Sequence, residues 1–545
     1  MKGNFENSGK LARFMLKREL VVSAVWILIL TAFSAGLAPG LAEMFPDPGE
    51  RAQFAATLDN PVMVAMMGPV YGMDNYTVGA MYSTMILLWI MIAVGIMNIF
   101  LVVRHTRADE EKGRAEVVRS LPVGRMANLN GAMITVFVVN AVLGLLVGLG
   151  IGITGTESMY FAPSMLYGAV LFATGLVFAA IAALFCQLSS SKSGAMGYSF
   201  LAMGAAYMLR AAGDMGNEIL SLISPLGFPL RAQVFVGNYL WPVIVMILIA
   251  LFITAVAYKL NSMRDLDQGF IPARPGRREG SMRGPQGLAF RLLGNGLISW
   301  LIIMFLFGAA YGSIIGDISD FVGNSPQYLE MIGLPPEVIE FLSPAEREGI
   351  IQNYFMAFTG TMMILIAVVP LINAAMKPRS EERDHRAEHA LSRSVSRAKY
   401  MGSYAILAYG ASILLPIAVA IGTYSVAAGV LGDANPFAFG DMVAAYIVYI
   451  PALWVMIGAA ILLVGLLPKY TAIIWGFYGF VCLVSLLGAM LNFPAWLSRI
   501  SPLAHVPQTL LAGEINFTPL IGLTIIAAVL TAAGFLFYGR RDVLI

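Results

Sequence analysis

Charge is scarce in this chain: only 12% of its 545 residues are Asp, Glu, Lys or Arg, against about 25% in an ordinary soluble domain. With 58% hydrophobic residues and a mean hydropathy of +0.77, that shortage excludes a soluble globular protein. Cysteine is nearly absent too. Cys186 and Cys482 stand far apart, in or beside apolar runs, which excludes a disulfide framework or a metal-ligand spacing; both read as packing residues. Of the four histidines only His385 and His389 are spaced i,i+4. They have no third ligand and lie among Arg and Glu, so they read as one face of a solvated helix rather than a metal site. No G-x-x-x-x-G-K-[ST], H-E-x-x-H or G-x-S-x-G occurs. The first absence excludes ATP hydrolysis of the P-loop type within the chain. The chain reads as a non-enzyme with no catalytic residues, metal or cofactor of its own. No Asp or Glu falls near the middle of any apolar run, where an ion-coupled transporter places the groups that carry its ion.

What is present is a succession of apolar runs of about 20 residues, the length a helix needs to cross a bilayer. Twelve spans are predicted, at 20–38, 78–103, 128–152, 162–187, 195–212, 239–260, 295–315, 351–375, 402–426, 441–466, 471–493 and 517–538. The fold class expected is an all-α polytopic membrane protein, and its first partner is the lipid bilayer. A net charge of +2 gives no basis for a nucleic-acid partner. Ser8–Glu19, with Lys10, Arg13, Lys17 and Arg18 among Leu11, Phe14 and Met15, reads as a basic amphipathic helix lying on the lipid surface. The run that follows is too long for the core of a cleaved signal peptide.

The cations fix an orientation. Placing both termini in the cytoplasm puts all but five of the 34 Lys and Arg there; Arg51, Arg210, Arg231, Arg347 and Arg499 remain outside. The outer segments are acidic, with Glu43, Asp47, Asp59, Asp74, Asp317, Asp320, Glu330, Glu337 and Glu340 among them.

The sequence also repeats itself. Ile223-Ser224-Pro225-Leu226 recurs as Ile500-Ser501-Pro502-Leu503, and Arg114-Ala115-Glu116 as Arg386-Ala387-Glu388, with Arg125 matching Arg397. The shifts, 277 and 272 residues, agree closely and fall at equivalent places between spans. Two parallel six-helix halves follow, 1–260 and 288–545, related by an axis along the membrane normal. They are joined by a Gly-, Pro- and Arg-rich cytoplasmic linker at 261–287. "LAFRLLGNG" at the start of the second half echoes the first amphipathic helix.

In a chain so poor in charge, "RHTRADEEKGRAEVVRSLPVGRM" (Arg104 to Met126) needs an explanation. Thr106 and Asp109 fit a capping-box start, Asp109, Glu110 and Glu111 suit the first turn, and Glu110 and Arg114 form an i,i+4 pair. Pro122-Val123-Gly124 would end a helix of about four turns, exposed between spans two and three. Its copy is expected at about 381–396, between spans eight and nine. Solvated loops obeying the positive-inside rule would account for the arginines alone. Length, capping and duplication together favour two docking helices for a cytoplasmic partner.

On the outer side, Ser224-Pro225 and Ser501-Pro502 precede the last span of each half and suggest broken segments near the outer leaflet. Arg210, near the outer end of its span, is expected to reach the interface by extending its side chain or to face a substrate path. Gly144, Gly148 and Gly152 allow close helix packing.

With these features in place, the chain resembles the permeases of ABC-2-type exporters. Among them it is most similar to the fused, double-length exporters of polyketide antibiotics (the tetronasin-resistance type). The resemblance rests on the amphipathic helix before span one, on "RADEEKGRAEVVRSLPVGR", and on the two Ser-Pro-Leu segments. It implies a permease subunit in the plasma membrane of a prokaryote that exports a hydrophobic or amphipathic compound by alternating access. Two copies of a separate ATP-binding subunit, carrying ATP and Mg, would supply the energy. Two coupling helices would engage them, Asp109–Arg119 (Asp109, Glu110, Glu111, Arg114, Glu116 and Arg119) and the 381–393 stretch (Glu382, Arg386, Glu388 and Arg393). The second copy has Ser-Val-Ser in place of Pro-Val-Gly, which sets symmetric coupling in question. An ion-coupled secondary transporter with two six-helix halves, or a non-transporting membrane sensor or scaffold, are the alternative readings.

Overall fold

The structure, a computed structural model, describes residues 2–59, 61–216, 218–265, 267–271, 284–315, 344–432, 437–487, 494–507 and 516–542. Most of the expected linker, 272–283, lies outside them, as do Asp317, Asp320, Glu330, Glu337 and Glu340. The described residues are almost entirely helical; their one β pairing is the isolated bridge between Ser189 and Ile271.

The chain divides into two compact units, Met1–Gly276 and Arg277–Ile545. The first holds α1 (Ser8–Met44), α2 (Pro48–Leu58), α3 (Pro61–Met67), α4 (Val78–His105), α5 (Arg107–Glu111), α6 (Arg114–Arg119) and α7 (Ala127–Ile153), then α8 (Phe161–Leu188), α9 (Lys192–Gly216), α10 (Glu218–Ile223), α11 (Gly227–Leu230) and α12 (Trp241–Met263). The second holds α13 (Gly284–Ile314), α14 (Pro344–Arg383), α15 (Ala387–Leu391), α16 (Arg397–Leu431), α17 (Phe439–Ile447), α18 (Ile450–Leu466), α19 (Ile473–Leu487), α20 (Ala495–Ser498) and α21 (Phe517–Arg540).

Among the described residues ten helical stretches are long and apolar enough to cross a membrane, five in each unit. The protein is therefore an all-α polytopic membrane protein. Two of the twelve expected spans differ, and both are the fifth of their half. α9 has the length but carries Arg210 and Asp214; α19 has 15 described residues, and the rest of its expected span, 488–493, lies outside the described residues. α17 and α18 make one span divided by a turn, because Pro451 has no N–H to continue the ladder.

α1 is a single helix of 37 residues, about 56 Å long at 1.5 Å per residue and well beyond a hydrocarbon core of about 30 Å. The basic segment Ser8–Glu19 is thus the continuous first third of the spanning helix. The separate surface helix expected from its amphipathicity does not form, since nothing in Leu11–Val22 breaks the helix. The echo at Leu288 likewise runs without interruption into α13.

Burial follows the same order in both units. In chain order, the five spans of the first are 17, 67, 44, 72 and 22% buried, and those of the second 17, 61, 50, 67 and 22%. In each unit the second and fourth spans form the centre, and the first and last face outward. Close crossings depend on glycine. A Cβ on Gly144 would stand 2.5 Å from the Gly168 carbonyl oxygen where α7 crosses α8, and one on Gly465 would overlap that of Gly534 where α18 crosses α21. With little hydrophobic driving force between helices in lipid, such backbone proximity is what holds spans together. At mid-depth in the first unit, Asn98 and Asn140 exchange amide hydrogen bonds of 2.9 and 2.7 Å, which satisfies two fully buried polar side chains.

Candidate functional site: the charged end of each unit

The run from Arg104 does not form one exposed four-turn helix. It folds as two short helices, α5 and α6, parted at Gly113, whose φ of +68° lies in the left-handed region. Thr106 does not cap α5; its hydroxyl donates back to the Val102 carbonyl at 2.6 Å. Arg107, Ala108 and Asp109 are buried. Glu110 ignores Arg114, its expected partner one turn on. Its carboxylate, 6% exposed, accepts from Arg107 Nη1 at 2.7 Å and from Arg264 Nη1 at 2.9 Å. Arg264 lies just past the end of α12, 154 residues away, and its Nε donates to Gln187 Oε1 at 2.7 Å.

Arg107 is fully buried and ties this carboxylate to two backbone turns. It donates to the carbonyls of Ser190, between α8 and α9, and of Asp267 and Gln268 after α12. Arg125 Nη2 completes the knot by donating to the Arg264 carbonyl at 2.9 Å. Burial lowers the pKa of Arg119, while Glu110 opposes the shift and Arg264 and Arg125 add to it; the cluster carries more cation than Glu110 alone balances.

The second unit builds a matching knot from the corresponding residues. Glu382, its side chain wholly buried, accepts from Arg541 Nη2 at 2.8 and 2.7 Å, and Arg379 Nη1 lies 3.6 Å away. Arg379 Nε donates to the Pro468 carbonyl, between α18 and α19, at 2.7 Å. Arg397 donates to the carbonyl of Arg541, just past the end of α21. Each role recurs at the spacing of the sequence repeat: Arg107 and Arg379, Glu110 and Glu382, Arg125 and Arg397, and Arg264 and Arg541. In both units one buried carboxylate therefore joins three places: the end of the second span, the turn between fourth and fifth helices, and the end of the last span. Buried charge of this kind persists only when paired, and removing one member costs about 3–5 kcal/mol.

The residues expected to couple to a partner divide accordingly. Asp109, Glu110 and Glu382 face inward as braces. Asp109 accepts a bidentate pair from Arg18 of α1 (2.8 and 3.1 Å) and a bond from Arg114 at 3.2 Å. Glu381, which stands at the matching position, pairs with Arg386 at 2.8 Å and Lys377 at 3.0 Å. The outward face of the first segment carries Glu111, Glu116 and the apolar Val117 and Leu121, with Arg114 and Arg119 at its edges; Glu111 also accepts from the Lys192 amide at 2.8 Å. The second presents Glu388, which pairs with His385 Nδ1 at 2.9 Å, together with Arg386, His389 and Arg393. Among the described residues no three His, Cys, Asp or Glu are arranged to hold a metal.

The difference between Pro-Val-Gly and Ser-Val-Ser has a structural basis. In the first unit the residues before α1 cross this loop: the amides of Gly124 and Met126 donate to the carbonyls of Glu6 and Asn4, and Asn7 Nδ2 to that of Pro122 at 2.7 Å. A Cβ on Gly124 would overlap the Asn4 carbonyl oxygen, so only glycine fits. Its counterpart Ser396 instead caps α16, accepting from the Lys399 amide at 3.2 Å. A second tie is confined to the first unit. Glu19 of α1, 1% exposed, meets Arg104 Nε at 2.9 Å and His105 Nε2 at 3.2 Å.

At the opposite end Arg210 does not reach out of the fold. It is fully buried, donates to the carbonyls of Val64 and Ala65 at the end of α3 (3.1 and 2.6 Å), and pairs with Asp214 at 3.4 Å. It thereby fastens α3 to α9. The polypeptide before each last span is broken, as the Ser-Pro-Leu motifs suggest. Ser224 is buried between α10 and α11 and donates to the Ala206 carbonyl at 2.6 Å; Pro225 follows it, half-buried. Ser501 and Pro502, both buried, lead a 3₁₀ turn after α20.

Sequence reasoning missed Arg107, Arg264, Arg379 and Arg541. A signal was present, since each pair is separated by the repeat spacing; only contacts across more than 150 residues reveal what the matched charges do.

Comparison with known proteins agrees with an efflux role. A family model described as "Multidrug efflux system permease Rv1217c, C-terminal domain" matches residues 49–259 and 282–539. Over 541 residues, 98% of this chain and 94% of the relative, the sequence is 33% identical to the multidrug efflux system permease protein Rv1217c of Mycobacterium tuberculosis.

Proposed function

The chain belongs to the family of the multidrug efflux system permease Rv1217c, and on that premise we propose that it is the transmembrane permease of an ATP-driven exporter of the ABC-2 type. It moves hydrophobic or amphipathic compounds out of a prokaryotic cell, with both termini in the cytoplasm. Two copies of a separate ATP-binding subunit dock on the two charged segments and supply the energy. The chain is a duplication of a six-helix half, with the linker at 261–287.

The observation that carries this reading is the twofold brace around Glu110 and Glu382. A loop that served only to keep positive charge inside would need no buried carboxylate, nor a connection to the last span. A segment that must pass on a push needs both. Its inward face is locked to the ends of α4 and α12, or of α14 and α21, while Glu116 and Val117, or Glu388 and Arg393, stay exposed to meet a partner. A displacement imposed on the outward face then reaches the last span directly, because the ion pairs leave no slack.

Reconstitution tests it. The chain and its ATP-binding-cassette subunit, incorporated in proteoliposomes, are expected to move a lipophilic dye only with hydrolysable ATP. Movement that follows an imposed proton gradient without nucleotide would establish the ion-coupled alternative. No movement in either condition, with the complex intact, would support the sensor or scaffold.

A further inference from the structure

In the first unit α1 packs along α7, and the two helices flank an open groove. At the charged end a Cβ on Gly131 would stand 3.3 Å from the Ala12 amide nitrogen, and at the other end one on Gly150 would stand 3.1 Å from Thr31 Cγ2. The groove has a volume of about 690 Å³, within the range of small-molecule sites. Its walls are apolar, with Leu20, Ala24 and Leu28 from α1 and Val138, Val142 and Leu146 from α7. Arg13 and Lys17, one turn apart, line its mouth at the charged end. Both are exposed, and neither forms an ion pair among the described residues, whereas Arg18 beside them is engaged by Asp109. The second unit does not carry these two cations at the matching positions. Aligning Leu11-Ala12 with Leu288-Ala289 puts Phe290 and Gly294 where Arg13 and Lys17 stand.

We propose that this groove holds one anionic phospholipid from the leaflet at the basic end, its phosphate on Arg13 and Lys17 and an acyl chain between α1 and α7. An acyl chain gains little hydrophobic free energy by leaving a bilayer for an apolar groove, since both surroundings are equally dry. Selection must come from the headgroup, and two unpaired cations beside a groove between spanning helices supply it. Apart from the hydroxyls of Ser23 and Thr31 the walls are apolar, so a neutral lipophilic compound would find no charge to hold it there. The inference needs only that the chain spans a bilayer, and it stands apart from the ATP-driven reading.

Native mass spectrometry of the purified full chain, without any partner subunit, tests it with phosphatidylglycerol and phosphatidylcholine as probes. The wild type is expected to retain one phosphatidylglycerol in clear preference to phosphatidylcholine. R13Q/K17Q should lower that preference about thirtyfold. A24F, which narrows the groove and leaves the charges in place, should lower retention of phosphatidylglycerol as well. Both substitutions are on exposed positions, and an unchanged thermal transition checks that the fold is intact. A variant that fails that check is replaced by spin-labelled phosphatidylglycerol on the wild type, where an immobilised fraction displaced by unlabelled phosphatidylglycerol but not by phosphatidylcholine is expected. Equal retention of the two lipids by the wild type overturns the proposal. So does full retention by A24F, which would reduce Arg13 and Lys17 to surface charge, or displacement of the bound lipid by a neutral lipophilic dye.

Discussion

In the first unit the charged segment is tied down from several sides: Arg18 and Glu19 of α1 hold Asp109, Arg104 and His105, and the residues before α1 cross the loop at Gly124. In the second, among the described residues, Glu381 pairs with Lys377 and Arg386 on neighbouring turns, and the positions matching Arg18 and Glu19 are Asn295 and Gly296. The inner knot around Glu110 or Glu382 is common to both. The two units share the connection to the last span and differ in the attachment to the first helix. The feature that a transmitting element requires is the one that is shared. The feature that differs sets how tightly each segment is held, so unequal stiffness is the form asymmetry takes here.

The largest effect should come from breaking what the units share. E110A or E382A leaves two arginines unpaired in a buried site, and each should cost about 3–5 kcal/mol, read as a lowered thermal transition in detergent. Removing Arg264 as well, as E110L/R264M, should restore only part of the loss, because Arg107 stays buried without its carboxylate. If E110A were severe and E382A silent, the two knots would not be equivalent.

Next comes the glycine that separates the two loops. G124S introduces the residue the second unit uses, but here a Cβ meets the Asn4 carbonyl; overpacking of this kind costs about 1–3 kcal/mol. Hydrogen exchange should rise at residues 3–7 and 122–126, and S396G in the second unit should lose only a cap, about 1 kcal/mol at most. A smaller effect is expected of R18Q. The Arg18–Asp109 pair is partly exposed, so its loss should cost about 1 kcal/mol or less and quicken exchange across α5 and α6 while leaving 387–391 unchanged. Equal quickening in both segments would contradict the unequal attachment.

These contrasts also mark how far the sequence alone can be read. Run length and apolarity located ten spans, because a bilayer imposes one length on every helix that crosses it. The two not among them, α9 and α19, are the fifth helix of each unit: α9 carries Arg210 and Asp214, and the end of the run expected at 471–493 lies outside the described residues. Local rules paired Glu110 with Arg114 because they are one turn apart, yet the structure pairs it with Arg107 and Arg264. A carboxylate held inside the fold takes whichever cations the tertiary structure brings to it, and no local pattern reports a partner 154 residues away. Amphipathicity marked Ser8–Glu19 as a surface helix, but it cannot show whether the helix stops at Leu20. Arg210 was expected to extend toward the interface from its place near a helix end; its true surroundings are the carbonyls of α3, an element with no sequence signal of its own.

The outward face carries the central claim, and charge reversal there tests it most directly. In the reconstituted complex, ATP hydrolysis by the ATP-binding subunit and its drug stimulation are measured for E116K, E388K and the double variant. Both glutamates are exposed, and the pair Glu388 makes with His385 is exposed too, so thermal transitions should stay as in the wild type. Each single variant should lose part of the drug-stimulated hydrolysis, and the double variant should lose nearly all of it along with stable association. A double variant that assembles and turns over like the wild type would show that energy does not enter through these segments.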